Sequence, residues 1–173
     1  MAANKYLSLG GTGLPVEVAA TQVSAGGANA NQVVALNSSG FLDSTLFPAG
    51  FGESSISVVT SENLAAGALV NLYNNAGVLT ARNANATDAT KPAMGFVTAA
   101  STSPAANTVF FAGQQITGLS GLTIGAYHFL SASTAGTATA TVPAATGNLA
   151  QNIGYALSAT ILMFLPQIGI TRA

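Results

Sequence analysis

Short alternations of apolar and polar residues recur along this chain, and helical periods do not. No window of a dozen residues repeats its apolar positions with a spacing near 3.6, and the helix formers Glu, Lys and Gln are scarce. Thr, Val and Ile favour strands, whereas Gly and Asn favour turns. The pattern therefore predicts an all-β protein.

The beginning of the chain predicts an extended N-terminal arm. Apolar and polar residues alternate over residues 5–9, the Gly-rich residues 10–13 form a turn, and residues 14–18 continue the extended run. Pro15 lacks a backbone N–H, which a strand tolerates only at the edge of a sheet. We therefore expect an attachment arm in this part of the chain.

A linker and a compact turn unit are predicted next. The small residues 24–30 are typical of a flexible joint. Residues 32–36 are strand-like, and residues 37–40 have the composition of a turn. Asp43 is placed to cap one short helical turn, which Pro48 would end.

The remainder of the chain predicts a small antiparallel β-barrel or β-sandwich. Short strands at intervals of roughly ten residues, separated by turn signals, are typical of these architectures. The predicted strands are residues 55–60, 68–73, 78–82, 94–98, 108–112, 126–131, 137–142, 153–157 and 160–165. The last two are expected to form a closing hairpin. The sequence thus divides into an arm (1–23), a linker and turn unit (24–52) and a β-domain (53–173).

Charge is rare in this chain, and its rarity excludes several classes of protein. Only nine of 173 residues are Asp, Glu, Lys or Arg, and residues 92–171 contain none. An ordinary soluble domain carries about a quarter charged residues. Four basic residues cannot form a phosphate-neutralising footprint, so we expect no nucleic-acid partner. No apolar run approaches 18 residues and residues 1–20 lack an apolar core, so neither a membrane helix nor a secretory signal is expected.

The ionisable residues give no basis for catalysis. His128 is the single histidine, and the alternation around it places it opposite Tyr127 and Phe129, which are expected to face the core. His128 is therefore interpreted as a surface or interface residue. A general base needs a partner that orients it, and Glu53 and Glu62 could pair only by distant approach. We predict no catalytic residue.

Metal, cofactor and phosphate sites are likewise not predicted. Cysteine is absent, and the ligands that zinc requires are not found together. Asp88 follows the Asn-rich residues 83–87, but an Asx-turn loop is favoured there over a calcium loop. Residues 10–13 superficially resemble a phosphate loop, but they lack the Lys-Ser/Thr pair and the helix that follow one. We expect no metal and no cofactor.

A neutral surface without predicted catalytic or metal-binding residues is typical of a subunit interface. The centres of interfaces are depleted in charge, and apolar surface is normally covered by a partner. A β-domain that remains alone is the alternative. Near-zero net charge favours association over that state.

Two stretches resemble structural proteins of tailed bacteriophages. Residues 33–48 resemble the segment V-A-L-N-x-x-G-x-L-D-x-x-L-x-P, which occurs in capsid decoration (cement) proteins, head fibres and tail fibres. Residues 118–158, with Gly118-Leu119-Ser120-Gly121-Leu122-Thr123 and Ile153-Gly154-Tyr155-Ala156-Leu157-Ser158, resemble the β-domain that often follows, as do residues 64–71. The resemblance implies a homotrimer attached to the virion.

The leading hypothesis is a trimeric capsid decoration protein on the outer surface of the head. It would bind the major capsid protein and stabilise contacts between its subunits. The arm residues expected to contact the capsid are Tyr6, Leu7, Leu9, Val16 and Val18. The residues expected at the trimer contact are Phe41, Leu42, Leu46 and Phe47.

Two alternatives remain open at this stage. A head- or tail-fibre component would bind a host-surface glycan through Tyr73, Tyr127 and Tyr155. A small carbohydrate-active enzyme would need carboxylates that this sequence scarcely supplies.

Overall fold

The protein was analysed as a computed structural model, which describes residues 5–47 and 54–173. The described chain contains fourteen short strands and two 3-10 helices, so the predicted all-β class is confirmed. The chain divides into two compact units, Met1–Gly52 and Glu53–Ala173.

The first unit begins with a β-hairpin. Strand β1 (Lys5–Leu9) pairs antiparallel with β2 (Pro15–Ala19) over five residue pairs. Gly10 N–H donates to Leu14 O (2.8 Å) and Gly13 N–H to Gly10 O (2.8 Å), which closes the connection. The predicted turn is confirmed, and the two extended runs form a pair with each other.

One expectation for the following segment is wrong. Residues 32–36 form no strand, because Val34 makes only one isolated parallel bridge, to Thr21, and no neighbouring chain extends it into a ladder. Residues 24–30 contain the 3-10 helix Gly26–Asn29, and the flexible joint expected there stays a prediction. Side-chain hydrogen bonds, which composition does not reveal, stabilise this turn: the Asn29 amide oxygen accepts from Ala25 N–H.

The second unit contains the remaining twelve strands. They are β3 (Ser55–Thr60), β4 (Leu69–Asn75), β5 (Val78–Asn83), β6 (Gly95–Val97), β7 (Ala106–Phe110), β8 (Gln114–Ile116), β9 (Tyr127–Leu130), β10 (Ala138–Thr139), β11 (Leu149–Ala150), β12 (Asn152–Ser158), β13 (Ile161–Phe164) and β14 (Ile170–Thr171).

Five of these strands close a barrel in the order β3-β5-β4-β6-β7. All neighbours are antiparallel except β3 and β5, which run parallel. The barrel has its own apolar core, formed by Val58, Leu64, Ala68, Val70, Ala81, Val97 and Val109. A closed barrel leaves no free sheet edge, and closure is one way in which small β-domains avoid unwanted edge pairing.

The other main layer is a five-stranded sheet with the order β10-β9-β12-β13-β8. The sheet shares a second core with the barrel. Phe96 of β6 stacks on Phe110 at 5.6 Å between ring centroids and meets Phe164 of β13 edge-to-face at 5.4 Å. These three rings join the barrel to the sheet. The predicted closing hairpin is confirmed as β12 and β13.

The predicted strands of the β-domain correspond to β3, β4, β5, β6, β7, β9, β10, β12 and β13, with ends that shift by up to three residues. Strands β8, β11 and β14 were not predicted. Each has only two or three residues, which is too short to show an alternation.

The interpretation of His128 as a surface residue is wrong. The register of β9 turns His128 and Leu130 inward and leaves Tyr127 63% exposed. His128 is directly opposite Gly154 of β12, which has no side chain to compete for the space. The His128 Nδ1 atom lies 3.1 Å from Ala126 O. Alternation was predicted correctly for this strand, but its two faces were exchanged.

Candidate interaction surface

A tight loop positions Phe41 in the first unit. Asn37 N–H donates to Phe41 O at 2.8 Å, and Gly40 N–H donates to Asn37 O at 3.0 Å. The Asn37 amide oxygen accepts from the N–H groups of Ser39 (3.0 Å) and Phe41 (3.1 Å). Gly40 has φ +80°, a conformation that glycine adopts without a steric penalty. The predicted turn at residues 37–40 is confirmed.

A capped 3-10 turn follows this loop. The helix Ser44–Leu46 has Asp43 as its N-cap. The Asp43 carboxylate accepts from Thr45 N–H (3.0 Å) and from the Thr45 hydroxyl (2.7 Å). The capping role predicted for Asp43 is confirmed, whereas Pro48 lies outside the described residues.

Hydrogen bonds from the segment after the hairpin hold this turn unit in place. Thr21 N–H donates to Val33 O (2.8 Å), and Ala35 N–H donates to Thr21 O (2.9 Å). Gln22 Nε2 donates to Leu36 O at 2.8 Å. Residues 21–22 are therefore connected to residues 33–36 mainly through hydrogen bonds between polar groups.

The same pattern continues at the capped turn. Ser24 N–H donates to the Thr45 hydroxyl at 2.8 Å, and that hydroxyl donates in turn to Asp43. The Thr45 hydroxyl thus connects the segment at Ser24 to the capped turn at Asp43.

The apolar side chains of the first unit, by contrast, are not buried. Among the described residues, every buried apolar side chain of the core belongs to the second unit, and the first unit buries only Thr21. Eleven large apolar residues of the first unit are exposed: Leu7, Leu9, Leu14, Val16, Val23, Val33, Val34, Leu36, Phe41, Leu42 and Phe47.

This exposure has an energetic consequence. Ordering the backbone costs about 1–2 kcal/mol per residue, whereas a net hydrogen bond contributes only about 0.5–1.5 kcal/mol. Burying a Val, Leu or Phe side chain fully contributes about 1.5–3 kcal/mol, but these residues remain 37–77% exposed and gain only part of that contribution within one chain. Covering these side chains with another surface would therefore add to the stability of the unit.

The predicted trimer-contact residues occupy this polar framework. Phe41 at the loop tip is 70% exposed, Leu42 is exposed, and Leu46 is half-buried on the 3-10 turn. Phe47 is 37% exposed and makes a contact of its own. These four side chains lie within seven consecutive residues on either side of the Asp43 cap.

The hairpin separates the predicted arm residues onto two faces. Residues directly opposite each other in an antiparallel pair share a face. Tyr6 is opposite Val18, and Val16 is opposite Ser8, so Tyr6, Val16 and Val18 lie on one face. Leu7 and Leu9 lie on the other face and are 75% and 77% exposed.

The structure therefore does not bring all five arm residues onto one surface. The Leu7 face also carries the ion pair between Lys5 Nζ and Glu17 Oε2, at 2.8 Å. Both partners are exposed, and an exposed pair of this kind contributes between about 0 and 1 kcal/mol.

The sequence interpretation missed five of the exposed apolar residues. Leu14 lies in the hairpin connection, and Val23 follows the hairpin. Val33, Val34 and Leu36 were interpreted as part of a strand, which would have buried one face. The missing signal was the lack of a partner strand for residues 32–36: in the described part of the first unit, the two alternating runs pair with each other as β1 and β2, and Val34 has only its single bridge to Thr21.

The capping carboxylates titrate in the acid range. Hydrogen bonds from the Thr45 hydroxyl and from Thr45 N–H hold the pKa of Asp43 below its ordinary value of 3.8. The Thr90 hydroxyl and Thr90 N–H lower the pKa of Asp88 in the same way, and Lys91 adds a smaller effect. Both carboxylates thus serve as acceptors for local turns.

The described residues contain no cluster of side chains suited to binding a metal ion. No group of three or more His, Cys, Asp or Glu side chains within them could hold a metal ion. Asp88 forms the Asx-type turn that the sequence favoured, with Thr90 N–H donating to its carboxylate at 2.9 Å. Glu62 binds the Asn83 side chain at 2.9 Å, and Glu53 lies outside the described residues.

Comparisons with known proteins identified no relative of this chain. No protein family, curated protein or solved structure matches this chain. In the described part of the chain, no helix has the length and apolar character needed to cross a membrane.

Proposed function

We propose that this chain is a structural protein of a tailed-phage virion, specifically a capsid decoration protein that forms a homotrimer on the outside of the head. The observation that carries the proposal is the first unit, which keeps eleven large apolar side chains exposed on a hydrogen-bonded framework. Side chains of this kind are suited to permanent contacts, because extensive exposed apolar surface is normally covered by a partner.

The local structure of the segment that resembles phage proteins supports this proposal. Within residues 33–48, the polar residues Asn37 and Asp43 hold the backbone, as does Gly40. The apolar residues between them remain available to partners. The segment therefore has the properties of a contact module: its polar positions fix its shape, and its apolar positions provide the surface.

We assign the two parts of the first unit to different partners. Phe41, Leu42, Leu46 and Phe47 form the three-fold contact. The hairpin β1–β2 contacts the major capsid protein and is held in three copies by the trimer. Linking three weak contacts in this way raises the overall affinity well above that of one contact.

Stabilisation of the head then follows from mass action. A protein that binds the assembled shell, and not its separated subunits, stabilises the shell by its own binding free energy. No catalytic group is needed for this function. The contact residues themselves are uncharged, and the Lys5–Glu17 pair beside Leu7 has no net charge, so binding should depend only weakly on salt, because screening acts on charges.

The test is addition of the purified chain to heads of the encoding phage that lack it. We expect the chain to sediment with the heads and to raise the temperature at which they release DNA. Both effects should persist between about 0.1 M and 1 M salt. Chain that remains in the supernatant at every concentration would refute the capsid assignment, and binding to tails alone would indicate a fibre component instead.

A further inference from the structure

Four side chains lie in register across one face of the five-stranded sheet. Tyr127 of β9 is opposite Tyr155 of β12, Tyr155 is opposite Met163 of β13, and Met163 is opposite Gln115 of β8. Directly opposed residues share a face. Adjacent strands lie about 4.8 Å apart, so this row, here called the tyrosine row, extends over about 14 Å.

The tyrosine row lies on the outer face of the sheet. The adjacent row, Ala156, Leu162 and Ile116, points the other way and is almost completely buried. In the tyrosine row, Tyr127 is 63% exposed, Gln115 is exposed, and the two central side chains are half-buried. The aromatic surface is therefore accessible in the single chain.

A second pair of residues extends this face. Phe129 of β9 is opposite Asn152 of β12, and both are half-buried. The sheet lies within residues 92–171, which contain no Asp, Glu, Lys or Arg. The face thus combines aromatic rings and a thioether with phenol and amide groups, and its own strands carry no formal charge.

The size of the face argues against a second copy of the chain as its occupant. Four strands and two rows cover on the order of 200 Å². A stable protein interface buries about 800 Å² on each partner. A small ligand, in contrast, needs a few aromatic groups with a small number of placed polar groups.

We propose that the tyrosine row is a binding site for a neutral carbohydrate. The apolar C–H face of a sugar ring stacks on Tyr127 and Tyr155, and its hydroxyl groups form hydrogen bonds with the tyrosine hydroxyls and the Gln115 amide. The lack of a cation on the sheet favours neutral sugars over anionic ones. This site is separate from the contact residues of the first unit, so it does not depend on the capsid assignment.

The experiment is saturation-transfer NMR on the full-length chain. The probes are maltohexaose, cellohexaose, mannohexaose and chitohexaose, with sialyllactose as the anionic comparison. We expect transfer to at least one neutral oligosaccharide and none to sialyllactose. Absence of transfer to all four neutral probes, or transfer only to sialyllactose, would overturn the proposal.

Variants then locate the site. Tyr127→Ala should weaken binding of the positive probe by about 3- to 10-fold, the range expected for loss of one aromatic contact, and Tyr127→Phe should retain most of it. Tyr73→Ala is the matched control, because Tyr73 lies on the barrel with Arg82 over its ring at 4.2 Å. Since Tyr127 is mostly exposed, Tyr127→Ala should keep the wild-type thermal midpoint.

Three further outcomes would overturn the proposal. Equal binding by wild type and Tyr127→Ala would place the sugar elsewhere. Equal losses in Tyr127→Ala and Tyr73→Ala would indicate a non-specific effect. A change of oligomeric mass in Tyr127→Ala would make the face an interface between copies. Head binding by Tyr127→Ala is expected to be unchanged, which separates this test from that of the capsid assignment.

Discussion

Asn37 and Phe41 are joined by two hydrogen bonds: Asn37 N–H donates to Phe41 O at 2.8 Å, and Phe41 N–H donates to the Asn37 amide oxygen at 3.1 Å. The Phe41 side chain itself is 70% exposed. A polar residue thus fixes the backbone of an apolar residue whose side chain gains little from its own chain. This relationship links the local sequence to the proposed contact surface.

Replacing Asn37 by alanine should loosen this loop. Asn37→Ala removes the acceptor for Ser39 N–H and Phe41 N–H, and we expect the free energy of unfolding of the assembled protein to fall by about 1–2 kcal/mol. Chemical denaturation at a fixed protein concentration measures the change. Ser38→Ala in the same exposed loop is the control and should be neutral; equal effects of the two variants would contradict the role of Asn37.

Removing the apolar anchors should prevent trimer formation. Phe41→Ser combined with Leu46→Ser is expected to change the mass in sedimentation equilibrium from three times 17.0 kDa to one. Loss of a central apolar anchor costs about 2 kcal/mol or more in each interface.

The matched control for this variant makes the same change on the barrel. Val78→Ser with Leu79→Ser alters two exposed apolar residues of β5 and should leave the trimer intact. A trimer that survives Phe41→Ser/Leu46→Ser would contradict the assignment of the three-fold contact.

Deleting the hairpin should separate head binding from trimer formation. The deletion should end at residue 20, because Thr21 is hydrogen-bonded to Val33 and Ala35. Without residues 1–20 we expect the trimer mass to persist and co-sedimentation with heads to be lost. Undiminished head binding by this variant would show that another surface attaches the protein.

The two faces of the hairpin can be tested separately. Leu7→Ser with Leu9→Ser should abolish head binding, because these side chains are the more exposed. Val16→Ser on the opposite face should retain most of it. The reverse result would assign the contact to the face of Tyr6 and Val18.

Acid should weaken the capped turn. The pKa of Asp43 is below 3.8 in the folded chain, so the ionised carboxylate contributes stability that is fully present above 3.8 and is lost as the pH falls through the lowered value. Near neutral pH, Asp43 should therefore make no pH-dependent contribution to the stability of the trimer. Below about pH 4, its protonation should lower that stability.

The variant Asp43→Asn tests this dependence. Asn is also a good N-cap, so the variant should remain trimeric at neutral pH and lose the part of the acid sensitivity that Asp43 contributes. Asp88→Asn removes a carboxylate with a similarly lowered pKa from the β-domain, away from the proposed trimer contact, and should leave the acid-induced dissociation of the trimer unchanged. An identical acid response in wild type and Asp43→Asn would contradict the role of the cap.

Much of the β-domain could be predicted from the sequence. Its strands alternate, and Gly and Asn mark their ends, so nine strands and the closing hairpin were located. The burial of His128 could not be predicted. Alternation defines the two faces of a strand but does not show which of them packs against the core. That choice depends on Gly154, a neighbour 26 positions away that leaves space for the imidazole.

The exposed apolar residues of the first unit were predicted only in part. The anchor residues around Asp43 stood out because four large apolar side chains occur in so short a segment. Val33, Val34 and Leu36 were missed, because an apolar run is strand-like by itself and only the lack of a pairing partner shows otherwise. The pairing of β1 with β2 likewise depends on chain reversal at residues 10–13, which brings Val18 opposite Tyr6 and Glu17 opposite Leu7.

An image reconstruction of the virion tests the central claim most directly. We predict trimeric density on the outside of the head shell, with the unit of residues 5–47 in contact with the major capsid protein. Density confined to the neck or tail, or a shell contact made by the β-domain with the first unit exposed to solvent, would contradict this account.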